Sequence, residues 1–375
     1  MHPITQTSRL AIKLAVVASL IVMFAGCSNT QTPVNTPATT TQEGHSRGVG
    51  FTPKSFNSGD FNQFFSLAGQ AGGIVIWAGD WQELESGSGA PSVLAQTAPK
   101  YGCVSAFALQ FFEPSTCALL SPLDEPTMQR YKTAAVAFVT KYRPEYLGIG
   151  VEVNILFEKS PADFEVFARF YDEVYLALKA ASSGTKVFPI FQLEKMKGLS
   201  GGLFGGVNDT AKNEWAIMDR FPHSDLAAFT TYPGLIYKNP SEIPADYYTE
   251  IAKHTVKPIA FTEIGWHSAS GPQGWESSED EQAWFVRSFF SLTQGLNPLL
   301  ELWSFLYDQN TAVPFNSMGL IRQNGNPKSA FNEWSQGRRI KSKASTSETI
   351  LANQTKKRGF SPRFFLIVVW PECNF

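Results

Sequence analysis

Several things are scarce in this sequence. Of its 375 residues only 4 are cysteine and 5 histidine, and 17% are charged. Cys27, Cys103, Cys117 and Cys373 make no Cys-x-x-Cys pair, so neither a zinc ribbon nor a disulfide framework is expected. His2, His45, His223, His254 and His267 have no metal-binding spacing, and no metal or other cofactor is expected. The longest apolar runs, 14–24 and 364–370, fall short of the roughly 20 residues a membrane-spanning helix needs. No Gly-x-Gly-x-x-Gly turn follows the first strand-like run. The glycine-rich stretch 198–206 lacks Gly-Lys-Ser/Thr and reads as an active-site loop, not a phosphate cradle. A net charge of −2 without a basic face excludes a nucleic-acid binder.

What is abundant is apolar and aromatic. Hydrophobic residues make up 43% and aromatics 13%, including 30 Phe, 11 Tyr and 9 Trp. Such a chain can bury a large core and keep flat rings for a binding surface. Its charge is uneven: 48–337 holds 20 basic and 30 acidic residues between basic ends, which argues against an anionic substrate.

The ends read as export and tethering. Arg9 and Lys13 precede the apolar run, and Ala25-Gly26-Cys27 follows it, the pattern of a secretory signal. Phe24-Ala25-Gly26-Cys27 resembles the bacterial lipoprotein signal, which implies lipidation of Cys27 and a signal peptide over 1–27. Ser28 resembles outer-membrane sorting, so the expectation is an exported lipoprotein held only by its lipid. Residues 28–47 are rich in Thr, Pro, Asn and Gln and read as a tether. The tail 338–375, basic and then apolar, is given no role. Whether Cys103 and Cys117 are bridged is left open.

Between 48 and 337 short apolar runs alternate with helical periodicity. Strands are expected at 48–51, 73–77, 104–109, 146–151, 186–191, 226–230, 258–262 and 299–305. Most are continuously hydrophobic, as strands buried on both faces should be. Helices are expected at 127–142, 162–180, 279–293 and 327–334. Eight βα units in about 290 residues predict an α/β protein, a single (β/α)8 TIM barrel, expected to be monomeric.

Barrel enzymes place catalytic groups at the C-terminal ends of strands. Strand 4 runs into Glu152 and strand 7 into Glu263, three βα units apart and so facing across the mouth. A pair of carboxyls flanking one bond is what glycoside hydrolysis requires: one protonated, one ionised.

At this point the sequence resembles the large clan of retaining (β/α)8 glycoside hydrolases with an acid/base after strand 4 and a nucleophile after strand 7. Phe261-Thr262-Glu263-Ile264-Gly265-Trp266 is similar to the nucleophile strand of endo-β-1,4-galactanases and β-1,3-glucanases. The segment Gly319-Leu320-Ile321, followed by Asn324-Gly325-Asn326-Pro327-Lys328, resembles the clan's closing stretch. The resemblance implies Glu152 as acid/base and Glu263 as nucleophile. It further implies Tyr232 as a hydrogen-bond donor to the nucleophile and Trp303 as the floor of the sugar subsite. Trp77, Trp266 and His267 are further expected substrate contacts. Two departures stand out. Val151 occupies the position of the Asn that precedes the acid/base in most members, though some β-mannanases also lack it, and Trp77-Ala78-Gly79-Asp80-Trp81 lacks their strand 2 Arg.

The bland readings differ by residue. Glu158 reads as a loop residue after Phe157, and Glu194 within Glu194-Lys195-Met196-Lys197 reads as solvated loop. Glu301 reads as a barrel-interior polar residue. The expected function is an exported, endo-acting hydrolase of a β-linked poly- or oligosaccharide, with transglycosylation on the same residues as a variant of it. The rival is a glycan-binding or structural barrel lipoprotein that has lost turnover, favoured by Val151.

Overall fold

The computed structural model describes residues 46–113, 118–269 and 271–337. Cys27 and the 1–27 signal, most of the 28–47 tether, the 338–375 tail, Cys117 and Cys373 lie outside these residues. Cys103 is buried as a free thiol.

A parallel sheet closes into a barrel through β1 (Arg47–Gly50), β2 (Ile74–Asp80), β3 (Val104–Gln110), β4 (Tyr146–Ile149), β5 (Lys186–Phe188 and Ile190–Gln192), β6 (Ala227–Thr231), β7 (Ile259–Ile264) and β8 (Leu300–Trp303). It therefore starts one residue inside the expected tether. Nine strand segments make eight strands because Pro189, with no N–H to donate, splits β5. The first half pairs with β4 and the second with β6, so the interrupted strand seals the ring.

Alternation along the strands sets two layers. Ile74, Ile76, Ala106, Ala108, Ala228, Ala260, Leu300 and Leu302 fill the interior. Val75, Phe107, Leu147, Phe229, Phe261 and Trp303 face the helices. This two-sided burial explains the continuous apolar runs. Strand β1 bears glycine at both interior-facing positions. A Cβ on Gly48 would lie 1.9 Å from the Ile74 carbonyl oxygen, and one on Gly50 2.0 Å from that of Ser304.

The outer layer holds α1 (Ser58–Gln70), α2 (Ala90–Thr97), α3 (Glu125–Tyr142), α4 (Val153–Lys159), α5 (Pro161–Ala181), α6 (Leu193–Met196), α7 (Glu279–Leu292) and α8 (Ser329–Gln336). Caps fix several starts: Asp124 accepts from Thr127 N, and Ser278 from Glu281 N. After β5 and β6 the βα repeat weakens to one short helix and 3₁₀ turns, including Trp215–Arg220 and Thr249–Lys253. Among the described residues no helix is long and apolar enough to cross a membrane.

Candidate active site

At the C-terminal end of the barrel lies a cleft of about 700 Å³. Its walls come from the ends of β1, β2, β3, β7 and β8 and include Trp77, Asp80, Gln110, Glu263 and Ser304.

Glu263 reaches this cleft through a bulge. Along β7, Ala260 faces the interior and Phe261 the helices, so plain alternation would turn Glu263 outward. The pairing with β6 instead shifts between Phe261 and Glu263, setting Thr262 and Glu263 opposite Thr230 alone. Such a bulge re-aims the following side chain. The Tyr232 hydroxyl donates to Glu263 Oε2 at 2.5 Å and shares a 2.8 Å hydrogen bond with Ser304 Oγ. Burial raises the Glu263 carboxyl to about 7, against the lowering effect of Tyr232.

Glu152 follows β4 in a left-handed conformation, φ 55°, uncommon for a non-glycine residue. It is 6% exposed and does not line the cleft. Thr230 Oγ1 donates to its Oε1 at 2.7 Å, and Gln192 Nε2 does so at 3.4 Å. Burial first, then the charge of Glu263, raises its pKa to about 8. The two carboxyls thus interact across the barrel end. Asn154 holds β5 to α4: its Oδ1 accepts from Gln192 N at 2.8 Å, and its Nδ2 donates to Gln192 O at 3.2 Å.

The expected aromatic contacts divide. Trp77 lines the cleft. Trp303 does not: strand parity turns it to the helix side, where it packs on Phe285 and Trp334 and donates to Met318 O. Fully buried there, it cannot floor a sugar subsite. Trp266 is equally buried, stacked on Phe285 with its Nε1 donating to Ser277 Oγ. His267 is 1% exposed and bonds Trp275 O through Nε2. Burial lowers its pKa, and like Trp266 it lies away from the cleft. Glu301 is buried beside Trp303 on the helix-facing side of β8 and not inside the barrel, since Leu300 and Leu302 take the interior.

The stretch read as solvated loop is buried. Glu194 is inaccessible, its Oε1 accepting from Thr231 Oγ1, Tyr232 N and Tyr247 OH. Burial raises its pKa, and it anchors the backbone of the tyrosine that contacts Glu263. Lys195 and Lys197 are each 7% exposed; Lys197 donates to Tyr247 O and pairs with Glu250. Sequence reasoning also missed Gln110, Thr230 and Gln192. Their only signal was position at the end of a strand. Among the described residues no group of His, Cys, Asp and Glu is arranged to hold a metal.

No protein-family model and no curated protein sequence matches the chain. Solved structures do, at low identity. The GH5_18 protein of Streptomyces cattleya in complex with GlcNAc is 15% identical, TM-score 0.57, covering 81% of this chain and 82% of its own. The glycoside hydrolase family 17 β-1,3-glucanosyltransferase of Rhizomucor miehei is 14% identical, TM-score 0.52, with 75% and 94% covered. A family 39 glycoside hydrolase from Bacteroides cellulosilyticus WH2 is 15% identical, TM-score 0.53, with 78% of this chain aligned. This chain spans only 62% of that protein's length. The fold is the (β/α)8 barrel that these glycoside hydrolases share.

Proposed function

We propose that the protein is an exported glycoside hydrolase acting on a β-linked poly- or oligosaccharide with retention of configuration. The observation that carries this is Glu263: a bulge turns it into the cleft, a tyrosine holds it, and a second buried carboxyl feels its charge. Glu152 has the higher pKa and is the acid; Glu263 has the lower and is the nucleophile. Glu263 attacks the anomeric carbon as the glycosidic C–O bond breaks, and the Glu152 proton passes to the leaving oxygen. Glu152 then takes a proton from water, whose oxygen displaces Glu263 and frees the sugar. The resemblance of Phe24-Ala25-Gly26-Cys27 to a lipoprotein signal supports an outer-membrane location, with the lipid as the only membrane contact.

The test is hydrolysis of a panel of β-glucans, mannans and galactans. Wild type releases reducing ends with the β-anomer formed first, and Glu263→Gln loses at least about a thousandfold in kcat. Binding without any release overturns the hydrolase reading. It would favour the alternative, a glycan-binding barrel without turnover, which has its own support. Glu152 is outside the cleft lining, its Oε1 is engaged by Thr230 and Gln192, and Val151 precedes it.

A further inference from the structure

The wall of the cleft formed by β2 and β3 has chemistry that the two-carboxylate mechanism leaves unused. Asp80 ends β2 and Gln110 ends β3, and the two are direct partners in the strand register. Alternation behind them, Ile76 and Ala78 on one strand, Ala106 and Ala108 on the other, turns both side chains to the interior at the mouth. Gln110 is 1% exposed and lines the cleft, yet neither Nε2 nor Oε1 has a hydrogen-bond partner among the described residues. A buried amide left with both ends unpaired costs free energy in the empty protein, and a ligand's hydroxyl or amine can satisfy it.

Beside it stand several carboxylates. The cleft is lined by Asp80, Glu83, Glu113 and Glu263 and, among the described residues, by no Lys, Arg or His. Glu83 lies in the 3₁₀ turn Trp81–Leu84 that follows β2. Asp80 accepts from Gln82 N at 3.0 Å, and Glu83 is bonded to the backbone of Ala90. Among the described residues no cation is paired with either. Burial raises both pKa values, and the charge of Glu85 adds to the effect on Asp80, as that of Asp80 does on Glu83. A cationic ligand group would reverse that penalty, whereas a uronate or phosphate would enlarge it.

We propose that Asp80, Glu83 and Gln110 form a subsite for a β-linked hexosamine carrying a free amino group. The ammonium sits between the two carboxylates, and the Gln110 amide bonds an adjacent hydroxyl. This deepens the glycosidase reading and rests on the same cleft.

The experiment is equilibrium binding to the full chain of β-1,4- and β-1,6-linked glucosamine oligosaccharides and their N-acetylated counterparts of matched length. Reducing-end release is read in the same samples. The free-amine form binds about tenfold tighter than the acetylated one at low salt, and the margin narrows as salt is raised. Asp80→Asn combined with Glu83→Gln removes the margin, so that the two forms bind equally. Gln110→Leu weakens both forms. Equal binding of the two forms by wild type, in both linkages, overturns the subsite; that comparison requires no variant. A margin that survives the double substitution overturns it as well. Amine-dependent binding without release would sink the hydrolase reading while sustaining this one. Release from neutral or acetylated glycans with no amine preference would do the reverse.

Discussion

In the proposed mechanism Glu152 and Glu263 hold opposite protonation states at one pH, and their surroundings allow it only in a narrow window. Below about 7 Glu263 takes a proton and the nucleophile is lost; above about 8 Glu152 gives its proton up and the acid is lost. The expected kcat/KM profile is a bell centred between these values, checked by initial rates across the pH range on any cleaved substrate. Tyr232→Phe separates the limbs. The hydroxyl lowers the Glu263 pKa, so its removal moves the acid limb toward higher pH and costs about tenfold in kcat/KM. An alkaline limb that moves instead would mean that the roles of the two carboxyls are exchanged.

At the level of elements, the closing segment after β8 is held by a buried cation. Lys328 Nζ donates to Asp308 Oδ1 at 2.5 Å, to Ser268 Oγ at 2.7 Å and to Ser317 O at 3.0 Å, joining the β8–α8 connection to the turn after β7. Lys328→Met strands Asp308 in a site that already penalises its charge, and the expected loss is about 3–5 kcal/mol by urea denaturation. Loss below about 1 kcal/mol would make the cluster incidental. The elements themselves were legible in the sequence. Eight apolar runs marked eight strands because burial on both faces leaves no polar position to hide them. Which polar side chain enters the cleft was not legible, because that depends on parity at the last residue. One bulge turns Glu263 in, while unbroken alternation turns Trp303 out to the helices. Glu194 through Lys197 read as solvated for a related reason: their partners, Thr231, Tyr247 and Glu250, lie far along the chain.

Across the whole molecule, the site should be visible as a pH-dependent cost in stability. An unfolded Glu titrates at 4.5, whereas folded Glu152 and Glu263 titrate at about 8 and about 7. Between those limits the folded chain binds more protons than the unfolded one, so this contribution to stability falls as pH rises from 4.5 and reaches its minimum above 8. The cost arises because the barrel keeps two carboxyls dry and close, as turnover demands of the proposed pair. Glu152→Gln removes the buried charge and keeps a group that can still bond Thr230. The variant should therefore be more stable than wild type at pH 8 by about 2 kcal/mol, or about 4 °C in Tm, with the difference closing toward pH 4. Thermal melts of both proteins at the two pH values decide it. A variant that is less stable at pH 8 would show that the charged carboxylate is a structural partner, which is what a barrel without turnover requires.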